Sequence, residues 1–206
     1  MSNLHVVNHP LAQHLLTQLR NKHTPPEIFR ALTRKLTTIL VIEATRDLPV
    51  EGVSVETPLE ETQGVALKAR LVVVPILRAG LGMLEAVVDL FPDVSVGYIG
   101  MERDHATAIA NSYYLKLPPV EGRTVLLIDP MLATGGSVDQ ALAAIRSRGA
   151  EKMILVCIVA APEGVERIQS HHPDVPIYTA ALDRELNTAK YILPGIGDFG
   201  DRLYGT

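Results

Sequence analysis

The sequence predicts an α/β fold in which a mainly parallel sheet is flanked by helices, and three observations carry that prediction. Apolar runs of strand length recur at residues 71–76, 125–129, 153–160 and 177–182. Continuous rather than alternating apolar strands mark a sheet covered on both faces. Helical stretches fall between these runs, as in successive βα units. Finally, 206 residues with 47% hydrophobic and 20% charged side chains suit one globular domain, read as residues 1–206.

The elements follow in order. Residues 10–22 are predicted as a first helix. A second is expected to start at Thr24-Pro25-Pro26-Glu27, which has the form of a capping box with proline at the first helical position. Phe29, Leu32, Leu36, Ile39 and Leu40 then recur at helical spacing and give one apolar face. Val53 and Val55 alternate with polar residues, as in an edge strand. The run at 71–76 is followed by Gly80 and a helix to Leu90. Residues 94–102 and 113–117 read as two strands joined by a polar loop. A helix over 135–148 is stopped by Gly149. Residues 163–170 make a short helix before the strand at 177–182.

Several classes are disfavoured. No apolar run reaches the roughly 18 residues of a membrane span, and the N-terminus lacks the pattern of a secretory signal. Cys157 is the single cysteine, so no intrachain disulfide forms and a cytoplasmic protein is expected. A formal net charge of −4 argues against broad nucleic-acid binding. No zinc-type spacing of Cys and His is present. His171 and His172 read as capping or solvent-exposed residues, and Cys157 as a core residue.

In a parallel α/β sheet, ligands sit beyond the carboxyl ends of the strands. Asp129-Pro-Met-Leu-Ala-Thr-Gly-Gly-Ser137 occupies one such end. Its glycines let the backbone turn its amides inward where a helix begins, which suits a phosphate. Thr134 and Ser137 add hydroxyls, and Asp129 can meet sugar hydroxyls, a metal-bound ligand or nearby positive charge. Gly136 precedes Ser137 where a P-loop needs lysine, so a Walker-type site is disfavoured. Arg78, on the glycine-containing loop after residues 71–76, offers a planar donor fork for a diphosphate. In the tail, Gly195-Ile-Gly-Asp-Phe-Gly200 matches G-x-G-x-x-G, but six residues remain after it and no βαβ unit can follow. Asp198-Phe-Gly200 likewise lacks any kinase context. What remains is a loop dense in backbone donors and acceptors, suited to a flat ligand such as a pyrimidine.

The chain closely resembles the uracil phosphoribosyltransferase family over nearly its whole length. The matching segments are Asn8-His-Pro10, Thr45-Arg-Asp-Leu-Pro49, Pro75-Ile-Leu-Arg-Ala-Gly-Leu-Gly-Met83, Tyr113-Tyr-Leu-Lys-Leu-Pro118, Asp129 to Ser137, Ala160-Ala-Pro-Glu-Gly-Val165, Ala180-Ala-Leu-Asp183 and Gly197-Asp-Phe-Gly-Asp-Arg202. The resemblance implies a type I phosphoribosyltransferase-like fold with an N-terminal helical segment and a β-hairpin lid. It implies transfer of 5-phosphoribose from PRPP to N1 of uracil, giving UMP and diphosphate, with Mg²⁺ bound alongside PRPP. Asp129, Pro130, Met131, Leu132, Ala133, Thr134, Gly135, Gly136 and Ser137 would hold the ribose and its 5′-phosphate. Arg78 and Arg103 would hold the diphosphate. Ile192, Gly197, Asp198 and Phe199 would hold uracil, mostly through backbone groups, with Asp198 also facing PRPP or its metal. Asp129, Arg78, Arg103 and Asp198 make up the expected catalytic set, and no dedicated protein metal site is expected. A homodimer or tetramer and a possible GTP effector are further implications.

Pro130 after Asp129 replaces the second acid of most phosphoribosyltransferases and favours uracil over purines. Glu102 and Ala110 stand where the family more often has a tyrosine and a proline-containing stretch, in the polar loop 103–112 expected to act as the lid. The competing expectation is a regulator of the same fold that binds nucleotide or RNA without turnover.

Overall fold

The computed structural model describes residues 3–68, 70–103 and 110–206, with backbone alone at 102, 103 and 110–112. The chain opens with a short strand, β1 (Leu4–Val6), and two helices, α1 (Pro10–Arg20) and α2 (Pro26–Ala44). A hairpin follows, β2 (Val50–Glu56) and β3 (Glu61–Leu67). Next come β4 (Leu71–Leu77), α3 (Leu81–Leu90), β5 (Ser95–Val96), β6 (Tyr98–Arg103) and β7 (Ala110–Lys116). They are succeeded by β8 (Thr124–Ile128), β9 (Met131–Leu132), α4 (Gly136–Arg146), β10 (Lys152–Ala160), α5 (Pro162–His171) and β11 (Ile177–Leu182). A small pair, β12 (Glu185–Leu186) and β13 (Ile192–Leu193), precedes the terminal α6 (Phe199–Tyr204).

The main sheet runs β1-β11-β10-β8-β4-β6-β7, with β5 added to β4 and β9 to β10. Its pairings are parallel except for β6 with β7, which are antiparallel from Tyr98↔Lys116 to Arg103↔Ala110. The expected hairpin is therefore present. Residues 104–109 of its loop lie outside the described residues.

Successive strand residues point to opposite faces, and that alternation builds two cores. Val73, Leu126, Ile128, Val156 and Ile158 pack with Leu16, Phe29, Leu36, Met83 and Phe199 from α1, α2, α3 and α6. Val72, Val74, Val125, Leu127, Leu155 and Cys157 pack with Leu142, Ile145 and Ile168 from α4 and α5. Both faces being covered explains why these strands read as unbroken apolar runs. Each fully buried large side chain contributes about 1.5–3 kcal/mol.

Three expectations are corrected here. Val53 and Val55 belong to a freestanding ribbon, since β2 pairs with β3 and with no strand of the main sheet. Alternation announces a half-solvated strand, but it does not name the partner. The run at 94–102 is divided into β5 and β6, each paired to β4. The capping box does not form: Pro25 is the N-cap of α2 without a side-chain bond, and the Thr24 hydroxyl donates to the Gln18 carbonyl at 2.7 Å instead. Helix α1 ends just before that point, and its Gln18 carbonyl, which also accepts from the Asn21 amide at 3.2 Å, competes for the hydroxyl. The capping alternative holds for His172, which is the C-cap of α5, buried and in contact with the Asp139 carboxylate at 3.0 Å. No described helix is long and apolar enough to cross a membrane.

Candidate active site

The carboxyl ends of β4 and β8 open into a cavity of about 840 Å³. Arg78 and Ala79 enter from the β4 end, Asp129, Met131, Ala133 and Ser137 from the β8 end, and Asp198 and Phe199 from the tail. Three segments far apart in sequence therefore meet in one place.

The segment from Asp129 to Ser137 is built to be rigid. The Asp129 amide donates to the Val156 carbonyl at 3.2 Å, and the Pro130 carbonyl accepts from Ile158 and Val159 at 3.0 and 3.1 Å. Strand β9 pairs with β10, and the Ala161 amide donates to the Leu132 carbonyl at 2.8 Å. Met131 reaches the cavity while Leu132 is fully buried in the α4–α5 core. Pro130 and Leu132 are thus scaffold for the loop rather than cavity wall. Gly135 is the N-cap of α4 at φ +77°, a left-handed conformation that glycine adopts without a steric cost. No side chain caps α4, so its first amides depend on the backbone turn, the arrangement that favours a bound phosphate. Thr134, Gly135 and Gly136 form this turn without lining the cavity, whereas Ser137 does line it.

Asp139, in the first turn of α4, anchors the outer side of that helix. Its carboxylate accepts from Arg167 Nε at 2.9 Å and meets His171 Nδ1 and His172 Nε2, each at 3.0 Å. Burial pushes this carboxyl up, but the hydrogen bonds from Arg167, His171 and His172 outweigh it and hold the group below its ordinary value.

The loop after β4 depends on a close approach. A Cβ on Gly80 would lie 2.7 Å from the Ile128 carbonyl oxygen and 2.8 Å from the Ile76 nitrogen and oxygen. Only glycine lets this turn sit directly against the strand ends. Arg78 projects from it into the cavity.

The tail departs from the loop the sequence suggests: residues from Phe199 onward form α6, with Asp198 as N-cap accepting from the Asp201 amide at 3.0 Å. The Phe199 ring is buried against Phe29, with centroids 5.1 Å apart, so its backbone and ring edge remain for the cavity. Ile192 is buried, and Gly197 is exposed without lining the cavity. Arg103 ends β6 and pairs with Ala110; its side chain lies outside the described residues.

Residues to which the sequence reading assigned no role hold the tail in place. Arg20 forms a bidentate pair with Asp183 at 2.6 and 2.9 Å and also donates to the Gly195 carbonyl at 2.7 Å. Asp183 in turn accepts from the Gly195 amide at 3.0 Å. Arg202 donates to the carbonyls of Ile196 at 2.9 Å and Asn21 at 2.6 Å, and also to that of Leu19. Its cation lies 4.5 Å from the Phe29 ring centroid and satisfies carbonyls at the C-terminal end of α1. Asp183 and Arg202 stood in the quoted motifs, but nothing in spacing pairs them with α1. Tyr113, from one of the quoted segments, also lines the cavity with Lys190 and Tyr191, and none of the three was assigned a role.

Known proteins agree with this architecture. The family model described as uracil phosphoribosyltransferase matches residues 6–206. Relatives of that name from Bacillus pumilus and Listeria innocua are each 50% identical over 208 residues, covering 100% of this chain and of theirs. A solved structure from Aquifex aeolicus matches with a TM-score of 0.95 at 38% identity over 98% of both chains. A hypoxanthine-guanine phosphoribosyltransferase from Bacillus anthracis shares the fold, with a TM-score of 0.55 at 10% identity over 77% of this chain and 80% of that one. With its motifs gathered at one cavity of a type I phosphoribosyltransferase fold, this chain belongs to the uracil phosphoribosyltransferase family.

Proposed function

We propose that residues 1–206 act as one domain that transfers 5-phosphoribose from PRPP to N1 of uracil, giving UMP and diphosphate. The observation that carries this is the convergence of Arg78, Asp129, Ser137 and Asp198 on one cavity. Breaking the bond from C1′ to diphosphate builds positive charge on the ribose and negative charge on the leaving group, so the site must position both partners and stabilise both charges. The turn from Thr134 to Ser137 and the first amides of α4 receive the 5′-phosphate. Asp129 faces the ribose and favours its developing cation. Arg78 and, at the end of β6, Arg103 take the diphosphate. Backbone groups from Gly197 to Phe199, with Ile192 beneath them, orient uracil and stabilise N1 as its proton leaves. The hairpin of β6 and β7 excludes water, which would otherwise hydrolyse PRPP.

Among the described residues no cluster of three acidic, histidine or cysteine side chains could cage a metal. Two carboxylates, Asp129 and Asp198, do line the cavity. That sparse set fits Mg²⁺, which favours one or two carboxylates plus substrate oxygens. Bound with PRPP, Mg²⁺ would supply neutralisation of diphosphate charge.

The remaining partners belong to the same reading. The ribbon of β2 and β3 exposes Val50, Val55, Leu59, Val65 and Leu67, and a lone two-stranded ribbon is marginal in water. A second copy of the chain as cover supports a dimer or tetramer. A separate cavity of about 490 Å³ carries Arg30, Arg34 and Tyr204, with Glu85 paired to Arg34 at 3.4 Å, and its arginines would meet an anionic effector such as GTP. Catalysis in the cytoplasm completes the proposal.

The test is diphosphate release from PRPP and Mg²⁺ with uracil, cytosine, hypoxanthine or no base, each with and without GTP, beside Asp129→Asn. Turnover with uracil alone, lost in the variant, supports the assignment. PRPP binding without turnover on any base favours the regulator that binds nucleotide or RNA.

A further inference from the structure

We infer that Lys190 is a further cationic contact for the diphosphate of PRPP, beside Arg78 and Arg103 and from a different wall than Arg78; this rests on the phosphoribosyl-transfer reading above. Among the described residues, Lys190 is the non-glycine residue with a left-handed backbone, at φ +65°. A side chain there costs on the order of 1 kcal/mol relative to glycine. The surrounding turn nevertheless holds it. The Asn187 side-chain carbonyl accepts from the amides of Ala189 and Tyr191, both at 2.9 Å. The Lys190 amide donates to the Asn187 carbonyl at 2.9 Å, and the Asn187 amide to the Tyr191 carbonyl at 2.8 Å. Pairing of β12 with β13 closes the base of the same turn. Strain of this kind persists where the surroundings over-determine a conformation, and here the turn brings Lys190 to the cavity between Ala189 and Tyr191.

Charge supplies the reason for that side chain to be lysine. Among the described residues lining the cavity, the cations are Arg78 and Lys190, facing the acids Asp129 and Asp198. The α4 N-terminus serves the 5′-phosphate, which leaves the more highly charged diphosphate to the cations. Lysine carries a compact charge on a flexible stem, so its ammonium can follow the diphosphate as the bond to C1′ lengthens. Its stem leaves from a fixed turn, while Arg78 leaves from the end of β4.

The experiment compares Lys190→Gly, Lys190→Ala and Lys190→Arg with the parent protein. Lys190→Gly removes the charge and the backbone strain together, whereas Lys190→Ala removes the charge alone. Both are expected to raise the KM for PRPP and the inhibition constant for inorganic diphosphate about tenfold, as for one lost charge-assisted contact. The KM for uracil should stay within about twofold. The thermal midpoint of Lys190→Gly should equal or exceed that of the parent, a direction opposite to a purely structural loss. Lys190→Arg should recover diphosphate inhibition to within about threefold. Unchanged PRPP and diphosphate constants in both neutral variants would overturn the inference. So would a loss in Lys190→Gly shared by uracil and by thermal stability. A parent without turnover on uracil sinks the transfer reading instead; calorimetric binding of Mg²⁺–PRPP to parent and Lys190→Gly then still decides the role of Lys190.

Discussion

The hydroxyl of Tyr204 donates to the carbonyl of Arg78 at 3.2 Å, while the Arg78 guanidinium carbon lies 5.9 Å from the Tyr204 ring centroid. The last helix of the chain therefore braces the loop that carries Arg78. Tyr204→Phe keeps the ring and removes the hydrogen bond, worth about 0.5–1.5 kcal/mol. We expect kcat/KM for PRPP to fall roughly two- to tenfold, with the KM for uracil unchanged. Steady-state kinetics with each substrate varied in turn check this.

Asp183→Asn breaks the bidentate pair with Arg20 and weakens the hold on Gly195. Asp183 is buried, whereas the Arg20 side chain keeps 25% exposure. The cost should accordingly fall below the 3–5 kcal/mol of a fully buried pair, at about 2–3 kcal/mol. Urea unfolding measures that loss. The KM for uracil should rise more than the KM for PRPP, because the loosened segment leads directly into Gly197 and Asp198.

The Asp139 cluster makes a pH prediction. Its carboxyl is held below the ordinary value in the folded chain. The resulting stabilisation is complete above the unfolded value, near pH 4, and is lost as pH falls through the lower folded value. Asp139→Asn should therefore lower stability at neutral pH and flatten the acid side of the stability curve below about pH 4. An acid limb equally steep in parent and variant would refute the assignment. Chemical unfolding at a series of pH values reads both effects.

Cys157 lies in the β10 core, where burial pushes its thiol up to about 12, with Asp129 adding to the rise and a hydrogen bond from Thr179 opposing it. The thiolate is the reactive form. An aromatic disulfide reagent at pH 8 should leave the folded chain unlabelled and modify one thiol on unfolding. Rapid labelling of the native chain would contradict the placement.

Much of this fold was legible because burial on both faces writes itself as unbroken apolar runs. The central strands β4, β8 and β10 and the helices α2 and α4 stand close to where periodicity put them. The glycine turn from Thr134 to Ser137 was legible for a similar reason: it is local chemistry, completed within one strand-to-helix junction. The freestanding β2–β3 ribbon was half visible, since β3 is too polar to announce itself.

The sequence by itself determined the α/β class, the position of the glycine turn before α4 and, through its motifs, the family. Hydrophobic period and turn chemistry act between near neighbours, and near neighbours are what a sequence displays. Tertiary structure alone decided the long-range pairings: Arg20 with Asp183, Arg202 with the end of α1, Tyr204 with Arg78, and Lys190 with the cavity. Each joins segments whose meeting depends on how the helices close over the sheet, and no local propensity encodes that closure.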